Sequence, residues 1–453
     1  MALDLVVRLD SGLMPARTTA PLRMTARDAR RLAITSQRLV SGPPATRRGV
    51  MELMRDIGYL QLDPTNVVAR NPLLVLWSRV GTYDAAILES LLAKRELFET
   101  PSLILPTTDL PIHAATMRAY RRATDPRPAR DLRGRGDNAG GGTRAERVQR
   151  WLTQNRHVRS EVLARLRREG PLPLTAFEDR AIVSWTSGGW NDERNVTMLM
   201  AILQRRGEII VAGRRRGQKQ WGIPEDWLKD ARPLSGLALE REATLRAVRS
   251  IGIATLKQLK WHYAFSRHVS QRALDSLERD GAIARAEITD AKWKGTHYAL
   301  TDRRKHEWEE RTTLLSPFDN LIIDRERTLE QFGYFYRMEI YVPPHLRKLG
   351  YWAMPVLHGD RIVGSADPRF ERAEGVLVVN RLVLQPDAPR SVMRAIERAV
   401  DELADFVGAK SVRWARRVPV RTAPRRFAAG LRATPPTTRR SAARNRREGT
   451  SVS

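Results

Sequence analysis

The spacing of apolar positions divides most of the chain into three consecutive blocks of helices, each closed by a hairpin. In the second block, helical spacing at residues 162–168 and 195–204 precedes two short strands on either side of a turn at 214–217. The third block repeats this order within residues 243–300, and the first, within 25–105, has similar lengths. Helices closed by a hairpin are typical of the winged helix, a variant of the helix-turn-helix motif. The pattern therefore predicts three tandem winged helices.

After these blocks the pattern changes to closely spaced apolar strands. Alternating positions predict strands at residues 335–342, 351–357, 361–367 and 375–384. An amphipathic helix predicted at 391–407 can cover one face of the resulting sheet. Short strands at this spacing indicate a small antiparallel β-barrel. The predicted fold class is thus α+β, with three tandem winged-helix motifs followed by a small antiparallel β-barrel.

Composition shifts set the expected domain boundaries. Residues 124–144 are rich in Gly, Pro and Arg and cannot bury an apolar face, so we expect a flexible linker there. The full set of predicted segments is a disordered leader (1–24), a first winged helix (25–123), the linker (124–144), a second winged helix (145–234), a third (235–310), the β-barrel (311–415) and an Arg-rich disordered tail (416–453).

The charge of the chain indicates its partner. There are 79 Lys and Arg residues against 51 Asp and Glu, a formal charge of +28. An excess of this size repels itself unless a polyanion neutralises it, and binding to nucleic acid releases condensed counterions. We therefore expect double-stranded DNA as the partner. A general richness in arginine, without a function attached, is the alternative explanation of the charge.

Several classes of protein are excluded or disfavoured by what the sequence lacks. The chain contains no cysteine, which excludes disulfides, a thiolate nucleophile and a Cys-based zinc site. No apolar run approaches the roughly 18 residues of a membrane span. The first residues do not form the basic and apolar regions of a signal peptide. The sequence thus predicts a cytoplasmic, nucleoid-associated protein that has no membrane partner and is a monomer.

Three stretches of the chain carry a resemblance to a known family. They read LQLDPTNVVARNPLLVLWSR at 60–79, GEIIVAGR at 207–214 and LLSPFDNLIIDR at 314–325, the last followed by YRMEIYVP at 336–343 and LHGDRIVG at 357–364. In this order they resemble the YcaQ/AlkZ family of bacterial winged-helix DNA glycosylases, on its YcaQ side. The resemblance implies tandem winged helices with a C-terminal β-barrel. It also implies excision of N7-alkylated purines and unhooking of interstrand crosslinks in DNA repair.

The resemblance assigns catalysis to Gln61 and Asp63, because the family signature is Gln, an apolar residue, then Gln or Asp. An N7-alkylated guanine is already cationic, so it leaves without protonation by a general acid. One carboxylate, Asp63, could then stabilise the oxocarbenium-like sugar and act as general base toward a water. The amide of Gln61, on the same side of an extended segment, could orient that water. This chemistry requires no metal or organic cofactor.

The same residues allow two other interpretations. Without the flanking match, Asp63 is better explained as a cap of the turn that follows it at 64–66. In addition, relatives on the YcaQ side usually carry an aromatic residue and Ala-His before a proline, whereas residues 97–106 here read LFETPSLILP, without the histidine. This departure keeps open the alternative of a non-catalytic winged-helix DNA-binding protein, such as a damage binder or a transcriptional regulator.

Five arginines are candidate contacts to the DNA backbone. Arg70 and Arg79 flank an apolar stretch beside the catalytic segment and could hold phosphates, although a solvated rim explains them equally well. The turn of the second block carries Arg214, Arg215 and Arg216, which favours contact with the DNA backbone, because wings lie along it.

Two further features of the sequence bear on the expected chemistry. The pair Asp319 and Asp324 resembles a two-carboxylate site, but its flanks favour a structural role. No lysine lies within residues 60–79, so Schiff-base chemistry is not expected and the enzyme would be monofunctional.

Overall fold

The computed structural model describes residues 20–122, 144–185, 194–215, 218–224, 231–302, 308–415 and 420–421. In these ranges helices and strands alternate, and the predicted α+β class is confirmed. The predicted linker lies almost entirely outside the described residues. No helix in the described ranges has the length and apolarity needed to cross a membrane.

The N-terminal segment begins with a strand and a helix, β1 (Leu22–Met24) and α1 (Ala26–Ser36). Thr25 caps α1, because its hydroxyl accepts a hydrogen bond from the backbone amide of Asp28. β1 pairs in parallel with a later strand at Ile283–Ile288. The predicted disordered leader is therefore wrong for residues 22–24, whose backbone groups are satisfied by strand pairing, while residues 1–19 lie outside the described part.

The first unit combines helices with a three-stranded sheet. Its elements are α2 (Arg47–Ile57), β2 (Leu60–Gln61), α3 (Asn71–Val80), α4 (Ala86–Ala93), β3 (Leu97–Glu99), β4 (Leu103–Pro106) and α5 (Leu110–Arg121). Gly58 ends α2 with a φ of +81°, a conformation that favours glycine, and the chain passes directly into β2. β2 pairs with β4, which pairs with β3, all antiparallel.

The second and third units repeat this order of elements. The second contains α6 (Arg144–Gln154), α7 (Arg156–Glu169), β5 (Leu172–Pro173), α8 (Asn195–Arg205), β6 (Ile210–Arg215) and β7 (Gln218–Gly222). The third contains α9 (Gly236–Ile251), β8 (Ile253–Thr255), α10 (Leu256–Leu259), α11 (Gln271–Arg279), β9 (Ile283–Ile288) and β10 (His297–Leu300). In each unit the strand before the hairpin pairs with the second hairpin strand, giving the orders β5-β7-β6 and β8-β10-β9.

The C-terminal unit is built on a larger sheet. Its elements are β11 (Thr312–Leu314), α12 (Arg325–Phe332), β12 (Met354–His358), β13 (Arg361–Glu371), β14 (Val376–Leu384), α13 (Val392–Val407), β15 (Ser411–Trp414) and β16 (Val420–Arg421). β11 to β14 are antiparallel neighbours, whereas β15 and β16 pair with β14 in parallel. The parallel pairing arises because α13 returns the chain to the end of the sheet where β14 began.

Three expectations for the C-terminal region are corrected. The sheet is mixed rather than antiparallel, and among the described residues its end strands β11 and β15 do not pair, so it forms a half-barrel. Residues 335–342 are irregular instead of a strand, because buried side chains hold them: the hydroxyl of Tyr336 donates to the Ala353 carbonyl. The tail is not wholly disordered, since residues 420–421 form β16, while residues 422–453 lie outside the described part.

The first unit and the C-terminal sheet share one hydrophobic core. Apolar side chains of α2, α3 and α4 lie in the same buried cluster as those of β12, β13, β14 and α13. Trp77 of α3 stacks on Phe406 of α13, with ring centroids 6.1 Å apart. The second and third units have cores of their own. The first unit is therefore held rigidly against the sheet, and the segment between β2 and α3 lies at their junction.

Candidate active site

Gln61 and Asp63 lie at the start of the loop that joins β2 to α3. Gln61 is the last residue of β2 and pairs with Leu103 of β4, and the amide of Leu62 donates to the Ser102 carbonyl at 2.7 Å. Both candidate side chains are half-buried. The backbone of the candidate segment is thus fixed by a sheet on its N-terminal side.

Each of the two side chains has one oxygen that accepts no hydrogen bond from the described residues. The side-chain oxygen Oε1 of Gln61 is buried and accepts no hydrogen bond from any described residue. Oδ1 of Asp63 accepts from the backbone amide of Thr65 at 2.9 Å. Asp63 therefore does cap the turn, as the alternative interpretation expected, while its second oxygen has no partner within the described ranges. A carboxylate oriented by one oxygen can still accept a proton at the other.

The rest of the loop is held by the end of strand β13. Arg372 donates through Nη2 to Oδ1 of Asn66 at 2.9 Å and to the carbonyl of Val68 at 2.8 Å. The amide of Phe370 donates to the carbonyl of Val67 at 3.1 Å. The pairing of β13 with β14 shifts register between Asp367 and its neighbouring proline, and these contacts come from Phe370 beyond that shift and from Arg372 just after the strand.

An arginine-lined cleft of about 640 Å³ opens beside this loop. Asn66 and Val67 lie on one side of it, and the remaining wall includes the exposed ring of Tyr351 and the carboxylate of Asp367. Four basic side chains also line it: Arg347, Arg369, Arg372 and Arg381. Glu371, next to the cleft, pairs with Arg369, and the four guanidinium groups still outnumber the carboxylates of Asp367 and Glu371, so the net charge is positive. Burial raises the pKa of Asp367, even though the amide of Trp352 and nearby arginines oppose that shift. The cleft is suited to an anion.

The two arginines that flank the candidate segment lie in different environments, since Arg70 is exposed and Arg79 is buried. Arg70 is exposed at the N-terminus of α3, where its side chain makes no capping bond, so its contact with DNA stays a prediction. Arg79 is buried, and its guanidinium binds both carboxylate oxygens of Asp319. The expected phosphate contact of Arg79 is therefore corrected, because a guanidinium enclosed in the core cannot reach a DNA backbone. The structural role expected for Asp319 is confirmed, as is that of Asp324, which caps α12.

The three arginines of the second hairpin also differ. Arg214 forms an ion pair with the buried carboxylate of Glu99, and Lys219 approaches the same carboxylate at 2.9 Å. Arg215 is exposed, and Arg216 lies outside the described residues. Glu99 belongs to the stretch that lacks the family's histidine, and its carbonyl accepts from Gln204 of α8 at 2.8 Å. Glu99 thus connects the first unit to the second through its carbonyl and its carboxylate, and the ion pair holds the side chain of Arg214 in a largely buried position.

Comparison with known proteins agrees with the resemblance in the sequence. The family model described as "DNA glycosylase AlkZ-like" matches residues 54–406, well over half of the chain. The chain belongs to the AlkZ-like DNA glycosylase family. The solved structure of Streptomyces sahachiroi DNA glycosylase AlkZ is similar in fold, with a TM-score of 0.55 and 15% sequence identity. The match covers 87% of this chain and 99% of that chain. Membership places the protein among hydrolases that act on DNA in repair.

Sequence reasoning missed part of the site of this AlkZ-like protein. The basic residues of the cleft were not singled out, although Arg369-Phe370-Glu371-Arg372 interleaves basic and aromatic residues near the end of a strand, a pattern that could have marked them. Arg347 and Arg381 carried no such signal, because only the folded sheet brings them beside the candidate loop.

Proposed function

We propose that this AlkZ-like protein is a monofunctional DNA N-glycosylase that hydrolyses the N-glycosidic bond of N7-alkylated purines, including those in interstrand crosslinks. The observation that carries the proposal is the position of Gln61 and Asp63. They begin the loop in which Asn66 and Val67, three and four residues after Asp63, line a cleft with four arginines. A carboxylate near a basic cleft suits hydrolysis of an N-glycosidic bond in DNA, because the cleft can hold phosphates while the carboxylate acts on the sugar.

The chemistry needs few groups. The bond between C1′ and the base nitrogen breaks, and its electron pair leaves with the cationic base, which becomes neutral. The Asp63 carboxylate stabilises the developing positive charge on the sugar. A water whose lone pair attacks C1′ gives its proton to Asp63, and the amide of Gln61 orients that water. The products are the free base and an abasic site.

DNA binding would extend from the cleft to the three helical units. We propose that these units act as winged helices, since each places a hairpin after its helices and pairs the preceding strand with the second hairpin strand. Arg70 and Arg215, both exposed, would contact phosphates, together with the cleft arginines. Such contacts carry no sequence information, which fits an enzyme that must find damage anywhere in a genome.

The test is release of the damaged base. Duplex DNA containing N7-methylguanine, or a nitrogen-mustard crosslink, is incubated with the protein, and abasic sites are detected by alkaline cleavage. We expect base release by the wild type. Asp63→Asn should lower the rate by about 100- to 10,000-fold while DNA affinity stays within a few-fold. Equal release by Asp63→Asn and the wild type would remove Asp63 from the mechanism.

The second candidate function is a non-catalytic binder of damaged DNA. It is favoured by residues 97–106, which lack the histidine of relatives and instead supply Glu99 to a contact with the second unit. The same assay separates the two functions. Binding without base release above the level of Asp63→Asn, on both substrates, would establish the binder.

A further inference from the structure

The backbone of Gln61 is held by a chain of hydrogen bonds that begins in the C-terminal unit. Nδ2 of Asn71 donates to the carbonyl oxygen of Gln61 at 2.6 Å, across 10 residues of sequence. The hydroxyl of Ser316 donates to Oδ1 of Asn71, also at 2.6 Å, across 245 residues. Asn71 and Ser316 are both fully buried. A residue from outside the first unit therefore contributes to the position of a catalytic candidate.

The two bonds fix the orientation of the Asn71 amide. With Oδ1 accepting from Ser316, Nδ2 must face the Gln61 carbonyl, where only a donor is compatible. A rotated amide would place its oxygen against another oxygen and leave two buried groups unsatisfied, which is costly. The Gln61 carbonyl, which can only accept, thus sets the orientation of the Asn71 amide, and the Ser316 hydroxyl holds that amide by donating to its oxygen.

The same C-terminal segment also holds the other side of the strand. Nδ2 of Asn320 donates to the carbonyl of Tyr59 at 3.0 Å and to that of Ile57 at 3.3 Å. Ser316 and Asn320 lie within five consecutive residues. Asn320 bonds the backbone before Leu60 directly, and Ser316 acts on the backbone after it through Asn71. The strand that carries Gln61 is consequently held from both sides by one short segment.

We propose that Asn71, held in the core by Ser316, is a positioning residue that sets the place of Gln61 for water attack on the sugar. The inference rests on the proposed glycosylase function. Its physical reason is that Gln61 acts only if its amide meets both the water and the reacting carbon, and small displacements of positioning groups cost large factors in rate. Asn71 touches neither the substrate nor the water, because it lies in the core behind the strand.

The experiment measures single-turnover base release from N7-methylguanine duplex at saturating enzyme. Asn71→Asp keeps the shape of the side chain but removes the amide donor, and we expect a rate about 10- to 100-fold lower. Ser316→Ala should lower the rate roughly 2- to 10-fold. The affinity for DNA should stay within about twofold in both, since neither residue reaches the surface.

A matched control separates positioning from a general loss of stability. Thr328→Val removes another fully buried hydroxyl, which donates to the Asp324 carbonyl at 2.8 Å and has no contact with Gln61. It should lower the unfolding midpoint about as much as Ser316→Ala while the single-turnover rate stays unchanged. If Asn71→Asp does not fold, the comparison of Ser316→Ala with Thr328→Val carries the test.

Combination with Gln61→Ala gives the decisive readout. If Asn71 acts through Gln61, adding Asn71→Asp or Ser316→Ala to Gln61→Ala should lower the rate no further, although stability still falls. Rates that multiply across the two positions, or single variants as fast as the wild type, would overturn the inference while leaving the proposed function intact. A wild-type protein that releases no base would overturn both.

Discussion

Arg79 and Asp319 form a bidentate ion pair across 240 residues of chain, with both side chains fully buried. Nη1 lies 2.6 Å from Oδ2, and Nη2 lies 3.0 Å from Oδ1. Nε of Arg79 donates to the carbonyl of Gln37 at 2.8 Å, so the guanidinium is satisfied on several sides. The pair joins helix α3 to the segment before α12 and thereby to the C-terminal unit.

Breaking this pair should strongly destabilise the protein. Asp319→Asn leaves the guanidinium of Arg79 buried without its countercharge, and we expect the free energy of unfolding to fall by about 3–5 kcal/mol in urea denaturation. The double variant Arg79→Met with Asp319→Leu should recover much of that loss, because no uncompensated charge remains. As a control, Arg180→Gln breaks an exposed pair and should leave the unfolding midpoint unchanged. An Asp319→Asn protein as stable as the wild type would refute the structural role.

The cleft should dominate the salt dependence of DNA binding. Arg347→Gln combined with Arg369→Gln removes two cleft charges, and each lost phosphate contact lowers the slope of log affinity against log salt by about 1. We therefore expect a slope smaller by about 2, measured by fluorescence anisotropy at several salt concentrations. Arg168→Gln, at an exposed position on α7 outside the cleft, is the matched control. If both proteins showed the same slope, the cleft would not hold phosphates.

The two described arginines of the second hairpin should have separable effects. Arg214→Gln takes one of two cationic partners from Glu99, whose side chain is 1% exposed, and should lower stability by about 1–3 kcal/mol. Arg215→Gln removes the same charge from an exposed site. It should leave stability unchanged and weaken binding to all DNA sequences alike. Calorimetry and binding measurements on the two variants check this, and identical behaviour of both would contradict the assigned contacts.

Two histidines lie buried among aromatic rings between the first and third units. His262 stacks on Phe265, with ring centroids 4.8 Å apart, and meets Tyr59 edge-on at 5.0 Å. His113 lies 5.9 Å from the same Phe265 ring. Neither ring nitrogen of His262 has a hydrogen-bond partner among the described residues. Burial, reinforced by nearby positive groups, lowers the pKa of each histidine to about 3.

These shifts predict loss of stability in acid. Between pH 6.5, the ordinary pKa of histidine, and pH 3, the unfolded chain binds protons that the folded protein excludes. Stability should fall as the pH drops through this window, by up to about 1.4 kcal/mol per histidine and pH unit, and these groups should have no effect above it. His262→Phe should flatten the curve of urea midpoint against pH. Parallel curves for His262→Phe and the wild type would contradict the prediction.

Features that depend on near neighbours or on summed composition can be predicted from the amino-acid sequence alone. The α+β class followed from apolar spacing, since amphipathic periodicity reports which face of an element is buried. Three stretches in order, the first of which contains Gln61-Leu62-Asp63, indicate the AlkZ-like family, and the family match confirms it.

Contacts between residues far apart in the sequence, by contrast, depend on how the whole chain packs. Arg79 looks from its sequence like a solvated cation, and its burial became evident only with Asp319 on the other side of the core. Leu22–Met24 pairs with a strand more than 250 residues away, β15 is parallel because α13 intervenes, and Ser316 reaches Asn71 across 245 residues. Local propensity reports contacts within a few residues of the chain, whereas these depend on how separate units pack. For that reason the sequence could nominate the segment of Gln61 and Asp63 as the candidate site, but it could not show the cleft or the hydrogen bonds that hold this segment.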